Sequence, residues 1–60
     1  MSERSDAFRR RAEECDAAAA RVSDSDIRDV YLDIAGRWRK MAEQQDAIDQ
    51  ALEDRRPAIL

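Results

Sequence analysis

Two groups of basic residues give the strongest signal for binding chemistry in this sequence. Arg9-Arg10-Arg11 is the most basic run, and Arg37, Arg39 and Lys40 form a second group. Arginine and lysine bind phosphate, so the two groups together indicate a phosphate or RNA contact. However, successive residues on a helix point about 100° apart, which spreads adjacent arginines around the axis. The net charge of −3 also argues against a dedicated nucleic-acid binder.

A flank of carboxylates is the candidate for metal binding. Asp46, Asp49 and Glu53 follow one another at helical spacing, and oxygen ligands of this kind suit a hard cation. Carboxylate metal sites in helical bundles recruit several helices and often a histidine, and this sequence contains no histidine. We therefore expect a solvated acidic face, with no metal ion and no cofactor.

Catalytic combinations of residues are missing from the sequence. It has no histidine to act as a general base, no glycine-rich phosphate loop, and no hydroxyl or thiol beside a plausible base. The single cysteine, Cys15, lies on an apolar stripe, where a free cysteine usually behaves as a small hydrophobic residue. An intermolecular disulfide with a second copy is the alternative for Cys15. We expect no catalytic residues and no enzymatic activity.

Two helices must position all of these residues. The 60 residues include 11 alanines but only one glycine and one proline, a composition that favours helix throughout. Apolar residues recur at steps of three and four, first along residues 8–22 and again along 27–52. The sequence predicts one domain over 1–60, with a helix at 3–22, a turn at 23–25, a helix at 25–55 and a short apolar tail at 57–60.

The predicted turn contains four residues that favour helix N-termini, Ser23-Asp24-Ser25-Asp26. Ser23 followed three residues later by Asp26 resembles a capping box, with Asp in place of the usual Glu or Gln. A short connection of this kind between two amphipathic helices predicts an antiparallel hairpin.

Folding about the turn predicts which residues of the two helices face each other. The expected register places Phe8 near Met41 and Ala12 near Trp38. Small residues of the first helix would then face large ones of the second, and the close approach would clasp the Tyr31 and Trp38 rings. Beyond Met41 the second helix then has no partner in its own chain, and Ile48 and Leu52 extend its apolar stripe. A second copy of the chain is the simplest cover for this extension. The predicted fold is an all-α hairpin that dimerises into a four-helix bundle.

The expected core and interface residues share the two apolar stripes. They are Phe8, Ala12, Cys15, Ala19, Val22, Ile27, Val30, Tyr31, Ile34, Trp38, Met41, Ile48 and Leu52.

Three motifs stand out along the two predicted helices and the turn: Arg10-Arg11-Ala12-Glu13-Glu14-Cys15, the Ser23-Asp24 pair, and Trp38-Arg39-Lys40-Met41-Ala42-Glu43. They resemble the motifs of a group of short uncharacterised proteins of α-proteobacteria. The resemblance covers residues 8–43, and Ser25 stands where many members of the group carry proline. It implies a helical hairpin and no particular activity.

These observations predict a non-catalytic protein–protein interaction or regulatory module that acts as a homo-oligomeric helical bundle. Its expected partner is a second copy of itself, and an unidentified protein partner stays open. The alternative is a phosphate or RNA contact module using Arg9–Arg11 and Arg37–Lys40. No run of apolar residues approaches the length needed to cross a bilayer, and no signal peptide is visible, so we expect no membrane contact and a cytoplasmic location.

Overall fold

The chain forms two α-helices that pack against each other. The computed structural model describes residues 3–55, in which α1 spans Glu3–Arg21 and α2 spans Ser25–Asp54. No β-strand occurs within these described residues. The all-α fold with two packed helices is therefore confirmed. Each helix ends one residue before its predicted end, and the tail at 57–60 lies outside the described residues.

Asp24 is the N-cap residue of α2. It has an extended backbone conformation, with φ −76° and ψ 121°. Its side-chain Oδ1 accepts hydrogen bonds from the backbone N–H groups of Asp26 at 2.9 Å and Ile27 at 3.2 Å. These are two of the orphan donors that every helix N-terminus must satisfy. The predicted cap, Ser23, is wrong by one residue, because the side chain of Asp24 supplies the acceptor.

The connection between the helices is held from both ends. At the end of α1, the backbone N–H of Val22 donates to the carbonyl of Ala19 at 3.3 Å. From the first turn of α2, the Arg28 guanidinium reaches back and donates to the carbonyl of Val22 at 3.0 Å. The Val22 carbonyl, just beyond the end of α1, thus accepts a hydrogen bond from α2. This bond stabilises the turn in which the chain reverses direction.

The molecule is long relative to its mass. Its radius of gyration is 15.8 Å, whereas a compact chain of this length would have about 10 Å. Two helices lying side by side create a single line of contact and no deeper interior. The residues along that line therefore decide how the hairpin is held together.

Candidate interaction surface

Small residues form the contact between the two helices, which we call the inner seam. The buried residues of the described chain are Ser5, Ala12, Ala19, Ala35 and Ala42. On each helix these positions recur at seven-residue intervals, which is the spacing of a helix seam. No side chain larger than that of serine is fully buried among residues 3–55. The seam thus holds the helices close but removes little apolar surface from water.

Residues next to the inner seam fall on two opposite sides of the hairpin. A residue four positions after a seam residue is rotated by about 40° to one side, and a residue three positions after it by about 60° to the other. Arg9 and Asp16 on α1 therefore share a side with Arg39 and Asp46 on α2. Phe8, Cys15 and Val22 on α1 lie on the opposite side, together with Tyr31 and Trp38 on α2.

The first side, here called the charged side, carries two ion pairs between the helices. The Arg9 guanidinium donates to the carboxylate of Asp46, and the Arg39 guanidinium donates to that of Asp16. Moving seven residues forward along α1 moves the partner seven residues back along α2, as an antiparallel pair requires. These two ion pairs define the register of the two helices on the charged side.

The hydrogen bonds on the charged side also shift acid–base equilibria. The bond from Arg9, together with one from the Ser5 hydroxyl, holds the pKa of the Asp46 carboxyl below its ordinary value. The bond to Asp46 raises the pKa of Arg9, and the bond to Asp16 raises that of Arg39. All of these shifts favour the charged forms that make up the pairs.

The charged side is a network of opposite charges. A shallow groove there is lined by Arg9, Glu13, Arg39 and Glu43. The arrangement is one of alternating arginines and carboxylates, so it offers no patch of a single sign. It can stabilise the hairpin and keep this side hydrated.

Other members of the two basic groups are also paired with carboxylates. The Arg11 guanidinium lies 3.3 Å from the Glu14 carboxylate, and that of Arg37 lies 3.1 Å from Asp33, four residues before it on the same helix. Together with Arg9 and Arg39, four of the six predicted phosphate-binding cations have an acidic partner. The positive charge that these groups can offer to phosphate or RNA is reduced accordingly.

The second side carries the aromatic contact of the hairpin. The rings of Phe8 and Trp38 stack with centroids 5.7 Å apart and an interplanar angle of 28°. This pair differs from the predicted register, which placed Phe8 beside Met41, three residues farther from the turn. Five of the expected core residues on this side are half-buried: Phe8, Cys15, Val22, Tyr31 and Trp38.

The large aliphatic residues of α2 are exposed. Ile34 is 36% and Met41 is 41% exposed, whereas Ala35 and Ala42, one residue later in each case, are buried. Because one residue rotates the side chain by about 100°, Ile34 and Met41 point away from the inner seam. The expectation that these two residues face α1 is therefore wrong. The exposed members of the expected core are Ile27, Val30, Ile34, Met41, Ile48 and Leu52.

Four of these exposed residues form a line that we call the outer stripe. It consists of Ile27, Ile34, Met41 and Ile48, which occur at seven-residue intervals along α2. Each leaves at least a third of its surface open to solvent. The outer stripe lies on the same side of the seam as the Phe8–Trp38 stack. This side is consequently the apolar side of the hairpin.

The part of α2 beyond Met41 is not free of its own chain, contrary to the sequence-based expectation. Asp46 binds Arg9, and a groove on the surface is lined by Glu3 and Arg4 from α1 with Ile48 and Leu52 from α2. The first turn of α1 therefore reaches the C-terminal part of α2. Ile48 and Leu52 are nevertheless exposed, at 52% and 63%.

The predicted acidic flank of α2 is engaged within the hairpin. Asp46 binds Arg9, and the Asp49 carboxylate accepts a hydrogen bond from the Gln45 amide at 3.0 Å. Within residues 3–55, no group of three or more cysteine and acidic side chains is placed to hold a metal ion. Cys15 is a free, half-buried thiol.

An internal repeat could have identified the charged side from sequence alone. Residues 8–17 read FRRRAEECDA and residues 38–47 read WRKMAEQQDA, thirty positions later. The identical pairs are Arg9/Arg39, Ala12/Ala42, Glu13/Glu43, Asp16/Asp46 and Ala17/Ala47. If two antiparallel helices that carry such a repeat are related by a twofold axis, the alanines form a seam and the arginines and aspartates form two equivalent pairs beside it. The structure shows both features.

In comparisons with protein-family models, curated proteins and solved structures, no match to the chain is found. The resemblance to the α-proteobacterial group therefore stays a prediction. No helix in the part of the chain that the structure describes is long and apolar enough to cross a membrane.

Proposed function

We propose that this chain is a non-catalytic protein–protein interaction or regulatory module that works as a homodimer, in which two hairpins form a four-helix bundle. The observation that carries the proposal is the burial pattern. The inner seam contains only alanine and serine, while the larger aliphatic residues of α2 remain open. The side chains able to stabilise a core are present but uncovered.

The energetic reason is the size of the buried side chains. Fully burying a Val, Leu, Ile or Met side chain contributes about 1.5–3 kcal/mol, and a methyl group contributes much less. A single hairpin held by alanines, one half-buried aromatic stack and two partly exposed ion pairs would be marginal, since chains below about 70 residues rarely reach more than a few kcal/mol of net stability. Covering the outer stripe with a second hairpin supplies the missing apolar burial.

The exposed area supports the same proposal. A compact protein of 6.9 kDa is expected to expose about 4,000 Å², whereas this chain exposes 5089 Å². The excess is about 1,100 Å², which is more than the roughly 800 Å² that each partner contributes to a standard protein interface. One hairpin packed on another would bring the exposed area per chain close to that of an ordinary folded protein.

Sedimentation equilibrium with a matched pair of variants tests the proposal. Met41→Arg places a charge on the outer stripe, and Leu32→Arg makes the same change at a side chain that is similarly exposed, 47% against 41%, away from the stripe. We expect Met41→Arg to weaken association about 100-fold or more, because an unpaired charge in a desolvated interface costs several kcal/mol. Leu32→Arg should leave association unchanged.

Thermal unfolding by circular dichroism accompanies the sedimentation measurement. If folding is coupled to association, the unfolding midpoint of the wild type rises with protein concentration. A wild-type chain that is folded and monomeric at micromolar concentration would overturn the proposal. Equal weakening by Met41→Arg and Leu32→Arg would also overturn it, since the outer stripe would then have no special role.

A further inference from the structure

We infer that the second copy packs so that α2 lies against the partner's α2, with the two helices antiparallel and a twofold axis between Ile34 and Met41. The inference rests on the proposed homodimer and adds to it which helices meet and in which direction. Three features of the described residues support it: the distribution of charge on α2, the different distribution on α1, and the symmetry of the outer stripe.

The apolar side of α2 is nearly free of charge. The twelve residues of α2 on or beside the outer stripe are Ile27, Val30, Tyr31, Ile34, Arg37, Trp38, Met41, Gln44, Gln45, Ile48, Ala51 and Leu52. Arg37 is the one charged residue among them, and it is paired with Asp33. All eight carboxylates of α2 occupy its other positions. Depletion of charge is the compositional mark of an interface centre, and this strip runs the full length of the helix.

The corresponding strip of α1 is charged. Thirty residues before Ile34, Met41 and Ile48, the internal repeat places Arg4, Arg11 and Ala18. Glu14 and Arg21 are further charged residues on the same flank of α1 by helical rotation. A partner that set its α1 over this α2 would bring these charges onto the apolar strip. A partner that sets its α2 there meets a surface of the same kind, on which Arg37, paired with Asp33, is the one charged residue.

Two hairpins can stack face to face about either of two kinds of twofold axis. An axis parallel to the helices places α1 over the partner's α2. An axis that crosses the helices places each helix over its own copy and reverses its direction. The charge distribution selects the second arrangement, and a twofold interface of this type brings the same patch of both copies together.

The outer stripe is symmetric about the proposed axis. With the axis between Ile34 and Met41, Ile34 lies opposite Met41 of the partner subunit, and Ile27 lies opposite the partner's Ile48. All four members are then covered. On α1 the neighbouring residues Arg11 and Glu14 have opposite charge, so a reversed copy of α1 offers each a partner of the opposite sign.

Distances between spin labels on the full chain test the direction of packing. Asp29→Cys, Lys40→Cys and Gln50→Cys are each introduced into a Cys15→Ala background; all three sites are exposed and lie off the outer stripe. About the crossing axis, the separation of the two labels along the helix grows by about 3 Å for each residue away from the midpoint, twice the helical rise. We expect the longest distance for Gln50→Cys, an intermediate one for Asp29→Cys and the shortest for Lys40→Cys.

The outcomes separate this inference from the proposed homodimer. Distances that agree within a few ångströms at all three sites would mean an axis parallel to the helices, which would overturn the inference and leave the dimer standing. The absence of any intermolecular distance would overturn the homodimer itself. Circular dichroism of each labelled chain confirms that the variant is folded before its distance is interpreted.

Discussion

The segments 8–17 and 38–47 have related sequences but different surroundings. Where they are identical, as at Ala12/Ala42 and at the Arg9/Arg39 and Asp16/Asp46 pairs, the residues build the inner seam and the charged side. At two of the positions where they differ, Phe8 against Trp38 and Arg11 against Met41, the residues point to the opposite side. The identical positions therefore build the inner seam and the charged side, and the change from Arg11 to Met41 contributes to the apolar surface that α2 alone carries.

The two sides of α2 therefore have different roles. A seam of alanines lets two helices approach closely, but it leaves large side chains to the outside. The same alanines on both helices make the hairpin nearly symmetric in its interior. Its exterior is asymmetric, because the outer stripe has no apolar equivalent on α1. Association is thus expected to depend on α2 more than on α1.

The largest expected effect concerns the stacked rings of Phe8 and Trp38, of which each segment contributes one. We expect Trp38→Ala to lower the free energy of unfolding by about 3 kcal/mol, the lower end for loss of a large aromatic ring, because the ring is only half-buried in one chain. Urea unfolding at fixed protein concentration measures the loss. Phe8→Ala is the matched variant, and we expect it to cost less because Phe8 lies away from the outer stripe. A larger loss from Phe8→Ala would reverse the assignment of α2 as the more important helix.

The next effect concerns the shared alanines. Ala42→Leu forces a larger side chain into the inner seam and should lower the free energy of unfolding by about 1–3 kcal/mol. Ala47→Leu makes the same change at an exposed alanine of the same repeat, where we expect a change within about 0.5 kcal/mol. Thermal or urea unfolding of the two variants gives the comparison. If both substitutions were equally tolerated, close packing at the seam would not be what holds the helices together.

The smallest effect concerns the charged side. Because the pKa of Asp46 is lower in the folded chain than in the unfolded one, its ion pair stabilises the fold above the unfolded pKa. That contribution is lost as the pH falls through the folded pKa, so the loss begins below about pH 4. We expect Asp46→Asn to flatten this acid branch of the stability curve relative to the wild type, as measured by urea unfolding at several pH values. Acid branches of the same slope in wild type and Asp46→Asn would show that the pair does not contribute.

Much of the local structure could be predicted from particular residues. Abundant alanine and the near absence of glycine and proline predict two helices, and the Ser-Asp run predicts the turn to within one residue of its actual cap at Asp24. The spacing of Ile27, Ile34 and Met41 correctly identifies a continuous apolar stripe. The pairing of Asp33 with Arg37 also follows from helical spacing.

The candidate surface could be predicted only in part. Large hydrophobic residues of α2 were expected to face α1, whereas the structure buries the alanines beside them there. The repeat of Arg9, Ala12, Glu13 and Asp16 at Arg39, Ala42, Glu43 and Asp46 contains the information that would have corrected this expectation. Helical periodicity alone could not correct it. Periodicity indicates that an apolar stripe will be covered, but it does not indicate whether α1 or a second chain covers it.

The sequence by itself determined the two helices, the turn between them and the presence of an apolar stripe along α2, since these depend on local propensity and on spacing. Helical periodicity did not decide which face of α2 meets α1, and the tertiary structure did. The choice between Ile34 and Ala35 is a rotation of about 100°, and it depends on how closely two helices can approach when small residues line their contact. That close approach turns the large residues outward and leaves them as the surface on which a second copy is proposed to pack.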